Sequence, residues 1–161
     1  MNGKAVFFEA ARWVAAALAV VLLIGMFGGN TVSNADPAEV VQEVTAVLDM
    51  SSMLEGDNQM IKRFYGLDPS AFEACYLYYP NTNMMAEELL IIKLKDVSQQ
   101  ETVRLAVEQR IATQKTTFEG YGVEQFDMLT NNCVVEVRGN YILFVVNPSS
   151  AEARKAFLGA I

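Results

Sequence analysis

Hydrophobic positions fall along this chain in two regimes. From Trp13 to Gly29 the run WVAAALAVVLLIGMFGG carries no charge and is apolar on every side. From Asp36 onward, apolar positions recur at helical or strand spacing between turn signals. An apolar helix of ~20 residues crosses the hydrocarbon core. With Ala10 and Ala11 ahead of it, and Arg12 placed to snorkel, the first regime predicts a transmembrane helix. Lys4 and Arg12 precede it and no cation follows before Asp36. Charge bias therefore predicts a cytoplasmic tail at 1–12, a signal-anchor at 13–29, a short connection at 30–35 and an extracytoplasmic domain at 36–161. Ser33-Asn34-Ala35 also suits signal-peptide cleavage near Ala35, so secretion after cleavage stands as the alternative.

Within the domain, Asp36-Pro37-Ala38-Glu39 starts a helix that carries Val40, Val44, Val47 and Leu48 on one face. A second helix is predicted over Asn58 to Tyr65 with Gly66 as its left-handed end, and Asp68-Pro69 opens one further turn. Cys75 to Tyr79 (CYLYY) and Glu88 to Lys95 (ELLIIKLK) predict two strands joined through Pro80-Asn81-Thr82-Asn83 as a hairpin. Ser98 and Glu101 have capping-box spacing ahead of a long helix with Val103, Val107, Ile111, Gln114 and Phe118 on one face, ending at Gly120. A weak helix around Glu124 to Leu129 follows. Cys133 to Val137 and Tyr141 to Val146 predict a second hairpin, turned at Gly139-Asn140. Ser149 and Glu152 box a terminal helix with Phe157 and Leu158. The expected fold is α+β: a transmembrane helix, then one domain of order α-α-β-β-α-β-β-α. Its sheet is four-stranded and mainly antiparallel, with helices on one face.

Charge and composition narrow the chemistry. From Asp36 on, 18 acidic side chains stand against 10 basic ones, a net charge of −8. Such a domain repels phosphate backbones, so no nucleic-acid partner is expected. The chain has no His, which removes His-activated nucleophiles and His-ligated metals. Cys75 and Cys133 are too few for a structural zinc site; buried thiols and a single disulfide are both open readings. No phosphate loop, metal cluster or nucleophile motif is present, and no cofactor is expected.

Polar groupings are sparse. Asn81, Asn83, Glu87 and Glu88 offer amides and carboxylates to a peptide, a sugar or a cation, or form a turn that satisfies local backbone. Calcium-loop spacing is lacking. Glu87 and Glu88 are neighbours at a strand entrance and point to opposite faces, which argues against paired acid–base work. Arg138-Gly139-Asn140 presents a guanidinium at a hairpin tip or is a solvated turn. Tyr76, Tyr78, Tyr79 and Tyr141 line a groove or one half-buried sheet face. Asn81, Asn83, Glu87, Arg138, Asn140 and Tyr141 are the candidate interaction residues, provided the two hairpins turn at the same end of the sheet.

Several of these segments resemble the family called domain of unknown function 4358. They are Asn81-Thr82-Asn83-Met84, Ala86-Glu87-Glu88 running into Leu90-Ile91-Ile92-Lys93, Gln114-Lys115, Tyr121-Gly122, and Arg138-Gly139-Asn140-Tyr141 followed by Leu143-Phe144-Val145-Val146. The resemblance covers roughly Val40 to Val146. It implies a small bacterial protein held at the membrane by a lipoprotein signal or an anchor. No Cys lies near the end of the apolar run, which favours the anchor. The resemblance implies no activity. The expected role is a binding or interaction module of the cell envelope, with an envelope protein or a small ligand as partner. An envelope enzyme acting on cell-wall or peptide substrates is the alternative, as is an accessory subunit packed through Gly25, Gly28 and Gly29.

Overall fold

A computed structural model describes residues 31–161. The expected membrane segment at 13–29 lies outside the described residues. Among those described, no helix is long and apolar enough to cross a membrane. Val32–Ile161 pack as one unit.

Helix starts and stops follow local chemistry. Helix α1 (Pro37–Thr45) opens with Asp36 accepting from the Ala38 amide and proline in its first turn. After strand β1 (Met53–Gly56), Asp57 caps α2 (Asn58–Tyr65), which ends at Gly66 with φ 67°. Strands β2 (Ala74–Pro80) and β3 (Glu88–Lys93) follow, then the long α3 (Gln100–Phe118) and the short α4 (Val123–Asn131). Strands β4 (Cys133–Arg138) and β5 (Tyr141–Val146) turn through Gly139-Asn140, and α5 (Ser150–Ala160) closes the chain. Of the two turn residues Gly139 and Asn140, only Gly139 has positive φ, at 53°, as a two-residue turn with glycine in its first central position requires.

The sheet is antiparallel throughout, in the order β1-β2-β3-β5-β4. It has five strands rather than four. The extra strand, β1, reads MLEG: four residues with a charge and a glycine, too short to show a two-residue period. It forms because Leu54 and Glu55 pair with Tyr79 and Tyr78 along the free edge of β2.

Helices cover both faces, not one. The central strands β3 and β5 are buried at every position. Leu90, Ile92, Ile142, Phe144 and Val146 point into a core shared with Ile61 and Tyr65 of α2, Val103, Val107 and Phe118 of α3, and Leu129 of α4. Leu89, Ile91, Tyr141, Leu143 and Val145 point the other way, against Val40, Val41 and Val44 of α1 and Ala153 and Phe157 of α5. An antiparallel sheet with one wet face alternates apolar and polar residues; the unbroken runs LLII and YILFVV do not, and they require a cover on each side. Each large side chain fully buried in these layers contributes roughly 1.5–3 kcal/mol.

Two caps also differ from expectation. The box ahead of α3 is built by Asp96 and Gln99 around a 3-10 turn at Val97–Gln99, not by Ser98 and Glu101. Ser149 stands at the start of α5 but makes no side-chain cap bond. Cys75 and Cys133 are free thiols. They sit on β2 and β4, three strand spacings or ~14 Å apart across the sheet and four residues out of register along it, beyond the reach of a disulfide. Burial pushes the Cys75 thiol up to about 12.

Candidate functional site

The two hairpins turn at opposite ends of the sheet. Glu88 pairs with Val146 at one end of the β3–β5 ladder, and Lys93 pairs with Tyr141 at the other. The Asn81–Glu87 connection lies at the first end and Gly139-Asn140 at the second, about 17 Å apart along the strands. The six candidate residues therefore do not make one surface.

At the second end the candidates serve structure. Arg138 pairs with Glu136 at 2.7 Å, and Glu136 also holds Arg154 of α5 at 2.6 Å. Asn140 is buried; its Oδ1 accepts from the Ser33 amide at 2.8 Å and its Nδ2 donates to the Ser33 carbonyl at 3.1 Å. Tyr141 is wholly buried and donates its hydroxyl to the Ala35 carbonyl at 2.7 Å. Lys93 Nζ reaches the same carbonyl at 3.0 Å and Glu73 at 2.9 Å. Together they clamp the connection that leads into α1.

The first end is different. Glu88 opens β3, fully buried on the face covered by α2 and α3. Four groups converge on its carboxylate. The Tyr65 hydroxyl donates to Oε1 through a short bond, and Gln114 Nε2 donates to Oε2 at 2.6 Å. Arg110 Nη2 donates to Oε2 at 2.7 Å, and Arg110 Nε lies 3.1 Å from both oxygens. Burial, then the charge of Glu88, holds the Tyr65 hydroxyl well above the ordinary phenol value, so it stays protonated and donates. With both oxygens engaged, Glu88 is a structural anion that aims Arg110 and Gln114, not a free base.

Arg110 and Gln114 are one turn apart on α3 and line a cavity of about 390 Å³ between α2, α3 and the end of β2. Arg110 Cζ lies over the Phe64 ring, 4.1 Å from its centroid, and Tyr79 meets Phe64 edge-on at 5.5 Å. Arg63 also lines the cavity and has no acidic partner among the described residues. Asn81 and Asn83 form the rim; both are exposed, and their side chains make no hydrogen bond among the described residues. No carboxylate among the described residues lines the cavity.

Glu87 lies outside it, beside Asn147 of the β5 end at 3.4 Å; partial burial, then the nearby Asp49 charge, raises its carboxyl above the usual value. Tyr76 and Tyr78 face the α1–α5 layer, so of the four tyrosines only Tyr79 reaches the cavity. Tyr65, Arg110 and Arg63 were not singled out from sequence. One signal was legible: Gln114 interrupts the apolar stripe of α3, and a polar residue on a buried face needs a partner. Nothing in the sequence pairs it with Glu88.

The family model described as Domain of unknown function (DUF4358) matches residues 46–147. That span holds all five strands and α2, α3 and α4, hence the whole Glu88 cluster and its cavity, while α1 and α5 fall outside it. No curated protein and no solved structure matches the chain. With nearly two-thirds of its length matched, the chain belongs to the DUF4358 family.

Proposed function

We propose that this protein is a membrane-anchored module whose extracytoplasmic domain binds a ligand or a partner segment in the cavity beside Asn81 and Asn83. Membrane placement rests on the uncharged run Trp13–Gly29 and on the cations Lys4 and Arg12 ahead of it. Binding rests on one observation above the rest: a preformed concavity with aromatic walls in which a fixed guanidinium and two amides have hydrogen-bonding capacity left over. Sites that recognise small molecules have this make-up, mostly apolar with a few converging polar groups. Binding is favoured over hydrolysis or acid–base chemistry because no carboxylate among the described residues lines the cavity and Glu88 is already saturated.

Filling the cavity tests the reading. Thr117 is an exposed lining residue on α3, so Thr117→Trp blocks the space without disturbing the core. Tagged full-length protein captured from gently solubilised membranes is expected to bring down a discrete partner or ligand that the Thr117→Trp variant does not hold. Equal capture by both forms, with unfolding curves unchanged, would remove the cavity from the account and point to the anchor segment.

A further inference from the structure

The cavity's charge and size specify a ligand class, an inference that rests on the binding reading above. Arg110 spends its Nε hydrogen and one Nη2 hydrogen on Glu88; its Nη1 group and second Nη2 hydrogen make no bond among the described residues. The guanidinium is immobilised by that pairing and by the Phe64 ring below it, so its free edge presents a planar set of donors at little further entropic cost. Glu88 neutralises the charge of Arg110. Arg63 is then the one uncompensated charge among the described lining residues, which makes their balance monocationic. The other lining residues are uncharged: apolar or aromatic side chains such as Met60, Phe64, Tyr79 and Phe118, and neutral polar ones at Asn81, Thr82, Asn83, Gln114 and Thr117. At about 390 Å³ the space is near the lower end of the ligand-site range.

We infer that the cavity takes a ligand carrying one carboxylate on a small apolar body. The carboxylate sits between Arg63 and the free edge of Arg110, and the body lies against Phe64 and Tyr79. A single negative charge matches the site's own balance. A dianionic phosphate does not, and it is further disfavoured by the acidic domain around it. A free acid and the C-terminal residue of a peptide share this chemistry.

Methionine-methyl NMR of the full chain tests it, since Met60 and Met85 line the cavity while Met53 and Met128 do not. The probes are N-acetyl-leucine, its carboxamide, a tripeptide ending in leucine with free or amidated terminus, and phenyl phosphate. N-acetyl-leucine is expected to move Met60 and Met85 alone, to bind at least about tenfold more tightly than its amide, and to lose about tenfold in Arg63→Gln, as expected for one charge-assisted contact. Tighter binding of the free-ended tripeptide than of N-acetyl-leucine assigns the ligand to a chain terminus; the reverse assigns it to a free acid. Acid and amide binding equally would overturn the carboxylate assignment and leave the cavity as a binding site. Phenyl phosphate binding more tightly than the acid would overturn the single-charge argument. No movement of Met60 or Met85 with any probe overturns the inference, and the Thr117→Trp capture then decides separately whether the cavity binds anything.

Discussion

Arg110 reaches both carboxylate oxygens of Glu88, with Nη2 at 2.7 Å and Nε at 3.1 Å, across the gap between the middle of α3 and the first residue of β3. The carboxylate is completely buried and the guanidinium nearly so, its side chain 17% exposed. This pair fixes the wall of the cavity to the sheet. It joins one helix to the strand that also anchors the opposite core, and it orients the donors that the proposed recognition uses.

Removing one partner strands the other in a low-dielectric site. Glu88→Gln is expected to lower unfolding free energy by about 3–5 kcal/mol, the usual loss when a buried pair is broken from one side. The double change Glu88→Leu with Arg110→Met is expected to lose much less than the sum of the two single changes. Urea unfolding of the four forms measures this. Strict additivity would mean that the two side chains stabilise the fold independently.

Little of that cluster was legible in the sequence, and the reason is physical. Spacing along one helix or strand reveals which residues share a face, as it did for Val103, Val107 and Phe118. Pairing Glu88 with Arg110, 22 residues on, depends on where α3 crosses the sheet, which no local period encodes. The same holds for the hairpin ends. Each turn was readable from its own residues, but β5 inserts between β3 and β4, and that order sets Asn81 and Asn140 far apart. The second helical layer was readable in principle: the all-buried runs of β3 and β5 already demand two covers.

At the far end, Asn140 grips Ser33 through both its amide nitrogen and its oxygen. Asn140→Ala is expected to cost about 1–3 kcal/mol, because partly buried backbone groups of the connection lose their partners. Faster amide exchange at Ser33 and Ala35, with exchange in β3 changed much less, is the local signature. Uniform acceleration across the domain would mean that the clamp is inseparable from the core.

Alkali should weaken the fold through buried thiol and phenol groups that hold their protons. Burial raises the Cys75 thiol from 9.0 to about 12 and raises the Tyr141 phenol, and burial with the Glu88 charge raises Tyr65. Each group holds its proton more tightly folded than unfolded. Their contribution is therefore complete below the ordinary thiol and phenol values, and it is lost as pH rises past about 9 to 10, where the unfolded chain ionises first. Urea midpoints at about pH 8 and about pH 10.5 should show the fall, and Cys75→Ala should make it shallower. An unchanged slope in that variant would mean the thiol is not shielded as described.

The edge strand β1 depends on a close approach. A Cβ on Gly56 would lie 2.7 Å from Leu77 Cδ2 and 2.9 Å from its Cγ, and Leu77 is fully buried. Gly56→Ala is expected to cost about 1–3 kcal/mol through overpacking, and less in a Leu77→Ala background. Equal costs in both backgrounds, measured by urea unfolding, would place the penalty elsewhere.

The account's central claim is that the Asn81–Asn83 end of the sheet is the binding end and the Arg138–Asn140 end is not. Photo-crosslinking in living cells tests it most directly, with p-benzoylphenylalanine replacing the exposed Met84, next to the rim residue Asn83 but outside the cavity lining, or Arg138 at the opposite hairpin. A discrete adduct from position 84 and none from position 138 is the predicted result. An adduct from position 138 alone would contradict the claim and move the site to the clamped end of the domain.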